Sequence, residues 1–559
     1  MIGISINKLR FNEGTEVNLS PTDIVVFVGP NNAGKSRSLK DINDALVSPT
    51  GSIVVSDVSI HYHQVDGIRA RIKQLSLSHL EPNQSISYQG YKYRIHESFL
   101  PGIGDGERLY DQVRGFLVSS VRTEERLETA NPKAVVERGQ PKQNPLQYMA
   151  ESSVRNAVSN VFQKVFEQNV YCYDKASTKI YLHIGPKISF NQAGMTAEQV
   201  SDKYYEWIES LPKLEEQGDG VRSLAGLLMN VMMPNYSMFL IDEPEAFLHP
   251  PQARTLGSIL PNLMQDKQTF ISTHSIDLIK GLLTSARDRV KIIRITRTGD
   301  TNIIKHLEQA DVDLIWDDPI MRHSNMIDCL FYEHTVLCES DSDCQLYSLA
   351  LEYLKSKNDQ RADTLFIHCG GKGRMHLIAR ELRALGVDYR IIPDLDVFND
   401  RGIVKGLVEA NGGDWAQFHQ DYDMLAQAMN VPGGTMTPDE FLNALRVKID
   451  QRGLANIAKA EAKRISDDAK GILENQWDAL KHNGIDYIQD DSVKSALERL
   501  ILAFNRLKVY PVKIGELENF VPRVGDHGPG YAMSVIEKYP NMGDGVYDNL
   551  RNFVSSWGL

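Results

Sequence analysis

Apolar and polar positions alternate at the start of the chain. Ile2, Ile4 and Ile6, followed by Val17 and Leu19 beyond a Glu13-Gly14 turn, predict an antiparallel edge. The unbroken run Ile24-Val25-Val26-Phe27-Val28 predicts a strand buried on both faces, with a Gly-rich turn and a helix-like stretch after it. Buried strands of the same kind are expected at Met238 to Ile241 and at Thr269 to Ser272, with a fourth at Val290 to Ile295. From about residue 132 to residue 216 the pattern is polar and mostly helical, broken by the strand-like stretch KIYLHIG. It reads as an arm inserted into an α/β module that closes near residue 310.

A second alternation begins after a linker, 311–330, which holds Asp311, Asp313, Asp317, Asp318 and Pro319. Strands expected at 335–338, 364–367 and 389–392 alternate with helix-like segments at 342–356 and 374–385, the pattern of a smaller α/β unit. Residues 403–505 are helical in pattern and rich in charge, and a strand signal returns at 507–512. The expected layout is therefore α/β throughout: one domain over 1–310 with its arm, and a second over 331–559 with a helical insertion at about 403–505.

Length supports more than one domain, since 559 residues exceed what a single core holds at about 150 residues per domain. Lys and Arg number 61 against 73 Asp and Glu, a net charge of -12, so nucleic acid could be held only by a local patch and not by bulk charge. Arg114, Arg122 and Arg126 are candidates for such a patch, or members of a charged helix face. Five cysteines without a CxxC pair give neither a zinc ribbon nor a disulfide framework and fit a reducing compartment. With no basic stretch and apolar segment at the N-terminus, and with Leu224 to Ile241 interrupted by Asn230, Pro234 and Asn235, a cytoplasmic location without membrane contact is expected.

Two groups of residues carry chemistry. Gly29-Pro30-Asn31-Asn32-Ala33-Gly34-Lys35-Ser36 fits GxxxxGK(S/T) between a buried strand and a helix, where backbone N–H groups can wrap phosphate oxygens. Lys35 would neutralise β and γ phosphates and Ser36 would ligate Mg²⁺. Met238-Phe239-Leu240-Ile241 then presents Asp242, for a second Mg²⁺ contact, and Glu243, to deprotonate the attacking water, while His274 after the next strand could reach the γ-phosphate. In the second unit Glu339 follows an apolar strand, Asp343 stands four residues on, and Asp394 and Asp396 follow a later strand. Four carboxylates at the ends of neighbouring parallel strands would call for Mg²⁺ or Mn²⁺. Each piece alone also fits a helix N-cap or a solvated turn, and Gly370-Gly371-Lys372-Gly373 fits a plain turn or a phosphate contact.

The first group resembles the ABC-type ATPases, in particular the branch with SMC-like and OLD (overcoming lysogenization defect) proteins, through the stretch EPEAFLHP at 243–250. That resemblance implies head-to-head dimers in which a signature segment touches the partner's nucleotide. The matching stretch here, Gly218 to Ser223, has Asp219 where the phosphate-contacting Ser is expected. Gln64 is a candidate Q-loop residue. The second group resembles a Toprim domain, departing at Ser340, usually Gly, and at Cys338, often Val. Lys513-Ile514-Gly515-Glu516-Leu517-Glu518 resembles the segment closing OLD-type Toprim domains, which makes Glu518 a further metal ligand, with Lys513 or Lys538 as candidates for stabilising developing charge.

An ATPase module followed by a Toprim module is the layout of the OLD family. The resemblance implies an ATP-binding, Mg²⁺-dependent DNA endonuclease of bacterial anti-phage defence, a homodimer or homotetramer through its ATPase heads, with a helicase or a reverse transcriptase and its RNA as the expected kind of partner. A RecF-like or SMC-like repair ATPase that binds DNA without cutting is the alternative. It needs Lys35 and Glu243 but not Asp394 and Asp396.

Overall fold

The computed structural model describes residues 2–559 apart from 83, 138–139, 175–177, 188–196, 318–324, 431–436, 452–460, 463–464, 467–468, 470–475, 522–523 and 525–529. The chain divides into two compact units, Met1–Leu314 and Ile315–Leu559.

The first unit is built on a six-stranded sheet in the order Thr301–His306, Val290–Thr298, Ile24–Val28, Gln268–Ser272, Met238–Asp242, Val118–Val121. Neighbours run parallel except the outer hairpin of 290–298 with 301–306. Ile24 to Val28 are fully buried, as parallel strands covered on both faces require. Strand Val118–Val121 escaped the sequence reading because Ser119 and Ser120 interrupt its apolar run. The opening alternation does form an antiparallel element: Gly3–Phe11 pairs with Glu16–Asn18 and, over its whole length, with Val55–His63.

Two features differ from expectation. A meander of Leu77–Leu80, Ile86–Gly90 and Tyr93–His96 adds a small sheet that short, half-polar strands had hidden. The inserted arm is mixed, with helices Ser152–Phe166 and Ala197–Glu209 beside strands Lys133–Ala134, Asn169–Tyr173 and Lys179–Gly185, the last being KIYLHIG.

In the second unit, His334–Cys338 lies between Thr364–His368 and Asp388–Ile392, all parallel. Helices Asp341–Ser356 and Met375–Ala384 are the crossovers. The 507–512 signal yields a single parallel bridge, Val509 to Ile391, with Tyr510 N–H donating to Ile391 at 2.8 Å and Val512 N–H to Pro393 at 3.0 Å. Pro511 has no N–H to continue the ladder. Described helices of the insertion include Arg401–Ala410, His419–Met429, Pro438–Gln451, Gln476–Asn483 and Asp491–Arg506. Tyr347, Phe520, Tyr531 and Trp557 centre this unit's core, the rings of Tyr347 and Trp557 5.4 Å apart. Helix Gln309–Asp317 takes up the start of the expected linker, whose Asp318 and Pro319 lie outside the described residues.

Candidate functional site

The first group of residues gathers at the C-terminal ends of three neighbouring strands of the large sheet. Gly29 has φ 145, and a Cβ there would stand 1.9 Å from the Ile295 carbonyl oxygen, so no other residue fits the turn. Asn32 (φ 61) and Gly34 (φ 105) complete a loop of left-handed residues that opens helix Lys35–Ala45, with Asn31 at its exposed crown. Lys35 folds back over the loop, its ammonium donating to the carbonyls of Gly29 (2.9 Å) and Pro30 (2.7 Å). The helix is fastened from behind by buried Asp41, whose Oδ2 accepts from the N–H groups of Ile53, Val54 and Val55.

Ser36 Oγ donates to Asp242 Oδ1 at 2.8 Å, and Ser272 reaches the same oxygen. The Ser and the Asp expected to share one divalent ion therefore face each other. Glu243 has φ 47, a conformation strained for a non-Gly residue, and its N–H donates to Ser272 O at 2.9 Å. His274 Nε2 stands 3.5 Å from Glu243 Oε1. Burial, and then the nearby Lys35 charge, lower the His274 pKa, which favours the neutral imidazole. Glu245 lies behind this pair: Oε1 accepts from Thr273 Oγ1 (2.6 Å) and His274 N–H (3.0 Å). Gly218 is the N-cap of helix Asp219–Val231, where Asp219 pairs with Arg222 at 3.2 Å. Gln64, with φ 53, ends strand 55–63 and starts helix Val65–Leu75.

The second group forms inside the second unit. One oxygen each of Glu339, Asp394 and Asp396 lies within 4.8 Å of the others. Burial first, and the Asp396 charge next, raise the Glu339 carboxyl to about 7; burial and Glu339 raise Asp394. Asp396 Oδ1 is buried without a hydrogen bond. An all-oxygen donor set, mutual repulsion and an orphaned carboxylate oxygen fit a hard divalent cation. Asp343 stands beside this trio rather than in it. Its Oδ2 accepts from Ser340 N–H (2.8 Å) and Oγ (3.0 Å) in a capping box, so the N-cap reading of this stretch holds as well. Burial raises the Asp343 pKa, and Glu518, in the turn Leu517–Asn519, raises it further, so an acidic pair adjoins the trio.

Two lysines counter this charge. Lys372, from the loop after strand 364–368, is 2.5 Å from Asp396 Oδ2, which gives its Gly-rich turn a role in the cluster. Lys481, on helix Gln476–Asn483 of the insertion, is 2.8 Å from Asp394 and 3.9 Å from Asp396. The helix end that carries it is clasped: Gly515 (φ 110) has no Cβ, which would otherwise lie 1.9 Å from the Lys481 carbonyl oxygen, and His482 bonds Glu516 at 2.8 Å. Sequence reasoning missed Lys481, for it lies in a charge-rich helix with no local motif. Lys538 lies instead over the Tyr539 ring. Among the basic candidates Arg122 is exposed, Arg114 is engaged by Asp111 and the Asn43 carbonyl, and Arg126 is fully buried and unavailable to nucleic acid, its helix packing closely on helix Asp219–Val231.

Comparison with known proteins agrees with this division. Residues 64–280 match the family described as AAA domain, putative AbiEii toxin, Type IV TA system, and residues 330–396 match the overcoming lysogenization defect protein-like TOPRIM domain. The Old nuclease of Escherichia phage P2 is 22% identical over 171 residues, 29% of this chain and 28% of that protein's length. Among solved structures, the Smc head domain from Pyrococcus furiosus with the C-terminal domain of ScpA covers 56% of this chain and 99% of that one (TM-score 0.32, 11% identity). The SMC head domain from Thermotoga maritima covers 55% and 98% (TM-score 0.29, 12% identity). No described helix is long and apolar enough to cross a membrane. The chain thus carries an ATPase domain followed by an OLD-like Toprim domain.

Proposed function

We propose that this protein is an ATP-binding, divalent-metal-dependent DNA endonuclease of bacterial anti-phage defence whose ATPase module gates the Toprim site. The observation that carries the reading is the convergence of Glu339, Asp394 and Asp396 within 4.8 Å, in a chain that also holds a phosphate loop facing Asp242 and Glu243. Gly29, Asn31, Asn32, Gly34 and Lys35 would cradle ATP, Ser36 and Asp242 would hold its Mg²⁺, and Glu243 with His274 would orient and deprotonate water. Glu339, Asp394 and Asp396 would hold one Mg²⁺ or Mn²⁺, and Asp343 with Glu518 would extend the site. A bound ion there would supply charge stabilisation for the attacking and leaving oxygens of a phosphodiester. Lys481 and Lys372 would offset the charge of Asp394 and Asp396 and fix the orientation of their carboxylates. The protein would act in the cytoplasm as a homodimer or homotetramer, with a helicase or a reverse transcriptase–RNA partner.

The test is supercoiled plasmid incubated with Mg²⁺ or Mn²⁺ across an ATP series. The wild type should nick it, and Asp394→Ala should lose at least about a hundredfold in rate. No nicking by the wild type would leave the non-cutting repair reading. A rate unaffected by ATP would remove the gating.

A further inference from the structure

Arg126 belongs to helix Thr123–Thr129, directly after strand Val118–Val121, and is one of the largest fully buried side chains of the protein. Its Nη2 donates to the main-chain oxygen of Glu243 at 3.0 Å and to Thr123 Oγ1 at 2.8 Å. Its Nε and Nη1 are buried with no hydrogen-bond partner, as is Glu245 Oε2. A buried guanidinium with two idle donors is destabilising in itself, and an apolar side chain of similar volume would fill the space at lower cost. Of its two hydrogen bonds, the one that leaves its own helix goes to the residue whose backbone is strained at φ 47. A charge-assisted bond to that carbonyl, made in low dielectric, is what the site gains.

The same short helix is pinned on its other side to helix Asp219–Val231, the helix that starts with the signature-like segment. Gly226 lets the two backbones touch, since a Cβ there would stand 2.0 Å from the Arg126 carbonyl oxygen. Arg222 Nη2 donates to Leu127 O, and Asn230 Nδ2 to Thr129 Oγ1, each at 3.4 Å. On the far side of the strand ends, Glu245 holds the backbone of His274. A continuous set of contacts therefore runs from the Asp219 helix through Arg126 to Glu243, with Glu245 extending it to His274.

We propose that Arg126 is a positioning residue for ATP hydrolysis: it sets the backbone of Glu243 and passes movement of the Asp219–Val231 helix to the Glu243 and His274 pair. The inference rests on the reading of Glu243 as the base. It gives Arg126 a role in turnover and none in holding nucleotide, because its side-chain hydrogen bonds go to Glu243 O and Thr123 Oγ1 and not to the phosphate loop.

The experiment uses the full chain and measures kcat and KM for ATP, the affinity of a fluorescent ATP analogue, and the melting temperature. Arg126→Met should lower kcat about tenfold or more while KM and analogue affinity stay within about twofold, and Arg126→Lys should recover part of the loss. Gly226→Ala, which wedges the two helices apart without touching the guanidinium, should show the same kcat-selective loss. Should Arg126→Met fail to fold, Thr123→Val carries the same expectation at smaller size. Wild-type kcat in Arg126→Met, or parallel loss of kcat and analogue affinity in a folded variant, overturns the proposal. Glu243→Gln separates the two levels. If it hydrolyses ATP like the wild type, the reading of Glu243 fails. If it is inactive while the Arg126 variants turn over normally, only the Arg126 proposal fails.

Discussion

At the scale of single residues, charge balance in the acidic cluster sets what can be changed. Lys481 lies 2.8 Å from Asp394, a carboxyl that burial drives toward its neutral form. Removing that ammonium leaves buried carboxylates uncompensated, at a cost of about 3 kcal/mol. Lys481→Met should therefore lower the unfolding free energy of the second unit, read from urea denaturation, by that amount in chelator, and added Mn²⁺ should restore part of it. Equal stability of wild type and variant in chelator would show that Lys481 does not hold the cluster. Lys481 was not legible in the sequence because an ion pair across separate elements leaves no periodic trace. Gly34, Lys35 and Ser36 were legible because the phosphate loop is contiguous, and its chemistry is written in adjacent residues.

Individual elements show a second kind of balance. Asp388 begins an outer strand of the three-stranded Toprim sheet, bonded to His334 Nδ1 at 2.8 Å and Arg390 at 2.9 Å, with Lys508 also on its carboxylate. Burial works to raise this carboxyl, but His334, Lys508 and Arg390 together hold it well below the usual range. A carboxyl depressed in the folded state contributes its stability above the unfolded value of about 4, and that contribution is lost as the pH falls below it. Asp388→Asn should thus be less stable than wild type at pH 7, with the gap narrowing toward pH 3, as followed by urea denaturation at each pH. A gap independent of pH would assign the loss to packing. The buried parallel strands were readable from their apolar runs. The edge strand Val118–Val121 and the meander at 77–96 were not, since Ser119, Ser120 and the exposed Leu80 break the patterns that burial normally prints.

For the molecule as a whole, two units with separate cores should respond to separate ligands. A nucleotide that binds only the folded first unit raises its stability by about 2.7 kcal/mol at a hundred times its dissociation constant, and the same holds for Mn²⁺ on the second. Calorimetry should show two transitions, one moved by a non-hydrolysable ATP analogue and the other by Mn²⁺. A single transition moved by both would mean that the units unfold together. The order of the domains was evident from paired motifs alone: Gly34, Lys35 and Ser36 with Asp242 and Glu243 in the first, and Glu339 with Asp394 and Asp396 in the second. Arg126 shows the limit of that reading. Its charge suggested nucleic acid, and only the packing of its helix against Gly226 revealed an interior position.

Asp41 has a broader consequence. With one carboxylate oxygen it gathers three successive amides of the segment Ile53 to Val55, tying the helix behind the phosphate loop to a long antiparallel strand. A loop held in this way would lose little conformational entropy on taking a triphosphate. Binding and turnover of nucleotide would then be separable: the first would follow from the anchored scaffold, the second from how the strained Glu243 backbone is held.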